Sequence, residues 1–133
     1  MNKSAENYIK TIYLLKREND SLRSVDIARE LGFSRASVSL AMTNLRKKNI
    51  IVMKEDGEIE FTEKGREIAE NIYDRYTMLC GFLHDVVGVD ENTAKEDASS
   101  IGYYISDPTY EGIKRFVGSL ALKKSWGKIT DGI

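Results

Sequence analysis

The sequence predicts a mostly α-helical chain carrying one short β-hairpin, and three observations predict it. There is one proline in 133 residues, which favours long helices over a loop-rich β architecture. Apolar residues recur at three- and four-residue spacing through most of the chain. A single β-branched run, Ile50 to Met53, is followed by Glu55-Asp56-Gly57 and then by Ile59 to Phe61, the pattern of two strands joined by a turn with a glycine free to take positive φ.

The elements follow in order. Ser4 is placed to cap a first helix whose face is Tyr8, Ile9, Ile12, Tyr13 and Leu15 and which ends near Glu18. Leu22 and Ser24 read as a staple residue and a cap for a second helix buried through Val25, Ile27, Ala28 and Leu31. Gly32 suits a left-handed helix end, Phe33 is expected to pack inward, and Ser34 caps a third helix that begins at Arg35. That helix turns Val38, Ala41, Met42 and Leu45 inward and leaves Arg35, Ser37, Ser39, Thr43 and Arg46 outside. After the hairpin, Thr62 caps a long helix through Ile68, Ile72, Tyr76, Leu79 and Leu83 to Gly88, roughly 35 Å at about 1.5 Å per residue. Thr93 and Glu96 look like a capping box for a fifth helix, and Asp107-Pro108 opens a sixth carrying Tyr110, Ile113, Phe116, Val117 and Leu120. The tail from Lys123 to Ile133, with Trp126, has no clear period.

Charge excludes little. The net charge is -1; residues 1–70 carry 13 Lys/Arg against 12 Asp/Glu, and residues 71–133 carry 7 against 9. A nucleic-acid argument must therefore rest on local arrangement. The single cysteine, Cys80, excludes an intramolecular disulfide, and no Cys/His spacing fits a zinc site. With a polar N-terminus and no apolar run near the ~20 residues that span a bilayer, a cytoplasmic protein that does not engage membranes is the expectation. No phosphate-binding glycine loop or HExxH sequence is present. Nucleophilic catalysis would need Cys80 and His84 together, with no orienting group beyond nearby carboxylates such as Asp85, and the carboxylate pairs Glu58/Glu60 and Glu96/Asp97 read as solvated surface and helix N-terminal charge. The expectation is that the chain is not an enzyme.

Helix, tight turn with glycine, helix and hairpin is the order of a winged helix-turn-helix, whose second helix of the pair enters the DNA major groove. Short side chains at Ser34, Ser37, Ser39 and Thr43 let that helix approach base edges, and Arg35 can reach a guanine bidentately. Arg46, Lys47 and Lys48 form a compact basic cluster. Serines on an exposed helix face also commonly meet only water, and basic runs commonly serve as solvated helix ends. If the three cations each neutralised one phosphate in both subunits of a dimer, the log-log salt slope would be about -5, and two-fold symmetry would call for a near-palindromic double-stranded site. The wing argues the other way: Glu55, Asp56, Glu58 and Glu60 face phosphates with Lys54 alone opposing them.

From Ser4 to about Leu120 the chain resembles the DtxR/MntR family of metal-responsive repressors, more closely its shorter manganese-type members. The segments SAENYIKTIYLL, VDIARELGFSRASVSLAMTNLRKKNII, FTEKGREIA and RYTMLCGFLHDVVGVDEN carry the resemblance. It implies a winged-helix DNA-binding domain (1–70), a helical dimerisation domain (71–122) and a tail (123–133), without the C-terminal barrel of the longer members. It also implies Mn or Fe binding between the first helix and the dimerisation helices.

The ligand positions implied by the resemblance have changed. In place of the family's acidic pair stand Asn7 and Lys10; in place of a histidine after Arg75 stands Tyr76; in place of glutamates and a histidine on the fifth helix stand Ser99, Gly102 and Tyr103. Hard divalent ions need carboxylate oxygens or neutral imidazole, and Lys10 brings a cation instead. Tyr76 and Tyr103 are expected to fill the cavity and to hydrogen-bond to each other or to Asn7.

The leading reading is thus a homodimeric DNA-binding regulator, a repressor by family analogy, without a metal cofactor. A second keeps metal sensing by Mn, Fe or Zn through a rebuilt site at Cys80 and His84, four apart on one helix face near the family's accessory ligand position. A third is a winged-helix protein-interaction module that does not bind DNA.

Overall fold

A computed structural model describes residues 2–120, so the tail (123–133) and the expected end of the second domain at 122 lie outside the described residues. The elements are α1 (Lys3–Glu18), α2 (Ser24–Leu31), α3 (Arg35–Lys47), β1 (Ile51–Met53), β2 (Ile59–Phe61), α4 (Glu63–Gly81), a π-helical segment (Phe82–Val87), α5 (Glu91–Tyr104) and α6 (Asp107–Gly118). The chain divides into two compact units, Met1–Ile72 and Tyr73–Ile133. Among the described residues no helix is long and apolar enough to cross a membrane.

The first unit is a helix-turn-helix with a wing. Ile9, Ile12, Leu22, Ile27, Val38, Met42, Leu45, Ile50, Ile51 and Ile59 are all essentially sealed from solvent and form one core. Gly32 ends α2 at φ 68°, where an L side chain would be strained, and this sharp stop sets α3 off after a short turn. Ser34 then accepts from the Ser37 N–H at 3.1 Å, as the capping pattern predicts.

The wing is an antiparallel pair in the register Ile51 with Phe61, Val52 with Glu60 and Met53 with Ile59. Its turn is closed by Gly57 N–H donating to the Lys54 carbonyl at 2.9 Å, with Gly57 at φ 87°. The Ile59 N–H reaches the Leu22 carbonyl at 2.8 Å, which ties the wing to the loop before α2. Thr62 caps α4 by accepting from Gly65 N–H at 2.9 Å.

Several local expectations are corrected. The cap of α1 is Asn2, whose Oδ1 accepts from Ala5 N–H at 2.8 Å, rather than Ser4, because the helix begins two residues earlier, at Lys3. The N-cap position of α2 is Arg23, and Asp26 receives its backbone N–H at 2.9 Å, so Ser24 is already helical. Val25, Phe33 and Phe116 are 38%, 45% and 51% exposed where burial was expected; Phe33 meets the edge of Tyr8 at 6.0 Å between centroids and otherwise stays outside. Asp90 caps α5, so Thr93 falls inside the helix it is expected to cap, whereas Asp107-Pro108 opens α6 as the sequence predicts, with Ser106 as the cap. The long helix does not stay α-helical to Gly88: from Phe82 its turns widen to π geometry, ending at Gly88 with φ 90°.

The second unit has its own core of Tyr76, Leu79, Cys80, Ala94, Ala98 and Tyr110. Arg75 is its polar tie. Its Nη1 donates to the carbonyls of Gly102 and Ile105 at 3.3 and 3.4 Å, its Nη2 meets Asp107 at 2.6 Å, and its guanidinium lies 4.7 Å from the Tyr110 ring centre.

Candidate nucleic-acid interface

The face of α3 turned from the core is built from the residues singled out in the sequence. Ser34, Arg35, Ser37, Ser39, Arg46, Lys47 and Lys48 are exposed and Thr43 is half-buried, while Val38, Met42 and Leu45 close the opposite side. The hydroxyls are not all free to bind outward. Ser34 donates to Ser37 Oγ at 2.9 Å, and Thr43 donates to the Ser39 carbonyl at 3.0 Å. The cap and the helix thus occupy part of the hydrogen-bonding capacity that the sequence offered.

Arg46 and Lys47 lie in the last turn of α3 and Lys48 caps it, where cations also complement the carbonyl end of the helix dipole. A fourth cation joins them from outside the motif: Lys64 of α4 donates to the Lys48 carbonyl at 3.1 Å. Sequence reasoning missed it because residues sixteen apart meet here through the wing. Leu40 was also left out; it is 64% exposed on the same helix, and Ala36 is exposed one turn before it.

The wing is less acidic in effect than its sequence suggests. Asp56 pairs with Arg23 at 3.0 Å, Glu60 with Lys16 at 3.2 Å, and Lys54 lies 3.7 Å from both Glu58 and Glu60. The expectation that Lys54 alone opposes these carboxylates is therefore corrected: α1 and the loop before α2 supply two more cations. The Asp56 carboxyl is held below the usual carboxylate range, first by the Glu58 backbone N–H. The Glu60 carboxyl is also lowered; burial opposes ionisation, but the hydrogen bond and charge of Lys16 outweigh it together with Lys54.

The positions that would hold a metal do not fit one. In the first unit Asn7 is exposed, and Lys10 is a half-buried ammonium whose pKa burial lowers. In the second unit Ser99 is exposed, and a Cβ at Gly102 would sit 3.2 Å from Leu79 Cδ1 and 3.7 Å from Arg75 Cγ, so a carboxylate-bearing side chain there would have to displace that packing. Tyr76 is buried, and burial first, then the neighbouring Cys80 and Tyr73, pushes its phenol up to about 12, which keeps it neutral and a poor ligand. Tyr103 is half-buried with its ring against the edge of Tyr104, 5.1 Å between centroids.

Cys80 and His84 fare differently from each other. Cys80 is fully buried in the core of the second unit, and burial pushes its thiol pKa up. His84 stands in the π-helical segment, where the wider turn alters the simple four-residue spacing, and its Nδ1 donates to the Val89 carbonyl at 3.0 Å. Among the described residues no three His, Cys, Asp or Glu side chains come together as a group able to hold a metal ion.

Comparison with known proteins agrees with this architecture. The iron dependent repressor N-terminal DNA binding domain matches residues 1–58, and the iron dependent repressor metal binding and dimerisation domain matches residues 62–130. An uncharacterized HTH-type transcriptional regulator of Methanocaldococcus jannaschii is 30% identical over 118 residues, 88% of this chain and 94% of that one. The solved structure of the manganese regulator SloR is similar with a TM-score of 0.76 at 23% identity, over 90% of this chain and 54% of that one. A manganese-dependent transcriptional repressor in complex with manganese gives 0.78 at 22%, over 86% and 52%. A hypothetical protein from Sulfolobus solfataricus gives 0.68 at 21%, over 91% and 92%. The chain thus spans about half the length of the first two structures and nearly all of the Methanocaldococcus and Sulfolobus proteins. Its two halves match, in order, the two domain types of one family: this chain belongs to the iron-dependent repressor family of helix-turn-helix transcriptional regulators.

Proposed function

We propose that this regulator is a cytoplasmic homodimeric repressor that binds a near-palindromic operator without needing a divalent metal at the family's ligand positions. The observation that carries the metal-independent part is the donor set: an ammonium at Lys10, a neutral buried phenol at Tyr76, and a Gly102 backed by Leu79 and Arg75. No carboxylate or imidazole stands where a hard divalent ion would need one.

On the DNA, α3 enters the major groove with Ser34, Arg35, Ser37, Ser39 and Thr43 near base edges. Arg46, Lys47, Lys48 and Lys64 neutralise phosphates at its far end. The internal pairing of Asp56, Glu58 and Glu60 lowers the repulsion that an acidic wing would otherwise direct at the backbone, and so favours DNA over the protein-interaction reading.

The second reading, metal sensing through Cys80 and His84, has one observation in its favour. A histidine whose Nδ1 donates to a carbonyl keeps Nε2 as its ligating nitrogen, a common arrangement at metal sites. Against it, Cys80 is a sealed core thiol.

Fluorescence anisotropy with the DNA upstream of the protein's own gene separates the readings. Affinity in chelator within about twofold of that with added manganese, iron or zinc is the expected result. Binding that appears only with metal would overturn it and direct attention to Cys80 and His84.

A further inference from the structure

The helix proposed to enter the major groove carries an apolar crest. Val38, Met42 and Leu45 of α3 are 0%, 1% and 2% exposed, which fixes the inward side. Ala36, Leu40, Thr43 and Lys47 follow at spacings of four, three and four, and so form one ridge on the side farthest from the core. Leu40 is its large apolar member and is 64% exposed. Thr43 gives its hydroxyl proton to the Ser39 carbonyl at 3.0 Å, so it offers the ridge an acceptor oxygen and a methyl group but no outward donor.

A leucine at that place has a definite consequence if the ridge meets base edges. It can neither donate nor accept, so pressing it against the N7, O6, N4 or N6 groups of the bases would strip water from them without replacement, which costs free energy. One apolar group is displayed in the major groove, the C5 methyl of thymine. Lys47 at the end of the same ridge, with Arg46 and Lys48 beside it, supplies the charge complementarity that holds the ridge against the duplex.

We infer that Leu40, assisted by Ala36, reads a thymine methyl in each half-site, making it a specificity-determining residue of this regulator. The inference rests on the DNA-binding reading above and deepens it, by naming what the ridge recognises.

The test uses the purified full chain and the tightest duplexes it selects from a random-sequence library. Each thymine of that duplex is replaced in turn by deoxyuridine, which removes one methyl and leaves every hydrogen-bonding group in place. The wild-type protein is expected to lose affinity about fourfold at one thymine position per half-site, and about fifteenfold when both half-sites are changed, the loss that follows from leaving one methyl unburied at each. Leu40→Ala, at an exposed position that leaves the core untouched, is expected to bind thymine and uracil duplexes alike. Leu40→Met, which keeps an apolar side chain, should retain the discrimination. A flat deoxyuridine scan with the wild type, or an unchanged scan with Leu40→Ala, overturns the role of Leu40 while leaving DNA binding intact. Failure to select any duplex overturns the DNA-binding reading itself, and this inference with it.

Discussion

Arg75 and Asp107 form an ion pair of 2.6 Å whose two members differ sharply in setting: the Arg75 side chain is 25% exposed, that of Asp107 87%. The guanidinium also serves the Gly102 and Ile105 carbonyls and the Tyr110 ring, so it joins α4 to both ends of the α5–α6 turn. The carboxylate makes one contact to a shielded cation and otherwise faces water. Arg75→Ala is therefore expected to destabilise the second unit by about 2–3 kcal/mol, since it leaves two carbonyls without a donor as well as removing the charge. Asp107→Ala should cost under about 1 kcal/mol, the range of exposed pairs. Urea denaturation of both variants checks the asymmetry; equal losses would mean that the ion pair, rather than the carbonyl contacts, does the tying.

Gly65 provides a second asymmetric test. A Cβ built there would overlap the Ile50 carbonyl oxygen and lie 2.8 Å from its carbon, both of them backbone atoms that cannot swing away. The same carbonyl accepts from the Thr62 N–H at 3.0 Å, so moving it disturbs the α4 cap as well. Gly65→Ala should destabilise the first unit by roughly 3 kcal/mol or more, against the gain that Gly→Ala normally brings within a helix. Thermal denaturation followed by circular dichroism gives the answer; a stabilised variant would contradict the packing.

Salt dependence tests the basic cluster. With Lys64 added to Arg46, Lys47 and Lys48, a dimer would neutralise eight phosphates rather than six, steepening the log-log slope from about -5 to about -7. Lys64→Ala and Lys47→Ala should each flatten it by about 2 in the dimer and weaken all sequences alike. Arg35→Ala is expected to behave differently, relaxing discrimination at one base position by roughly 1–3 kcal/mol. Anisotropy titrations from low to physiological salt, on specific and unrelated duplexes, distinguish the two behaviours.

High pH should loosen the second unit. Burial raises the Tyr76 phenol from its ordinary 10.0 to about 12, so the folded state favours the neutral form. The corresponding stability is fully present below pH 10, where the unfolded chain also holds its proton. It is lost progressively as pH rises through about 12, because the unfolded state ionises first. The buried Cys80 thiol, also raised, adds a loss of the same sign that begins near its ordinary value of 9.0. Tyr76→Phe is expected to keep more of its neutral-pH stability at pH 11 than the wild type does, as measured by urea midpoints at both pH values.

The helix-turn-helix was legible because its signals are short-range. The glycine at 32, the Ser34 cap and the three-and-four spacing of Val38, Met42 and Leu45 act within a few residues of themselves, so the sequence displays cause and effect together. Cap positions slipped at Ser4, Ser24 and Thr93 because neighbouring polar residues compete for the same helix end, and one residue decides which wins. Leu40 was visible in the sequence as an apolar residue outside the inward stripe, and a helical projection of α3 would have shown it on the crest.

By itself, then, the sequence determined the order of elements, the inward faces of α1 and α3 and the chemical character of the positions that would hold metal in its family. Tertiary structure alone decided that Lys16 and Arg23 answer the wing carboxylates, that Lys64 joins the basic cluster, that Gly65 must be bare against Ile50, and that Arg75 gathers Gly102, Ile105, Asp107 and Tyr110. The physical reason is range. Caps and periodicity are fixed by hydrogen bonds and side chains within one or two turns, whereas charge pairing and close backbone approach depend on which distant segments the packed core brings within a few ångströms.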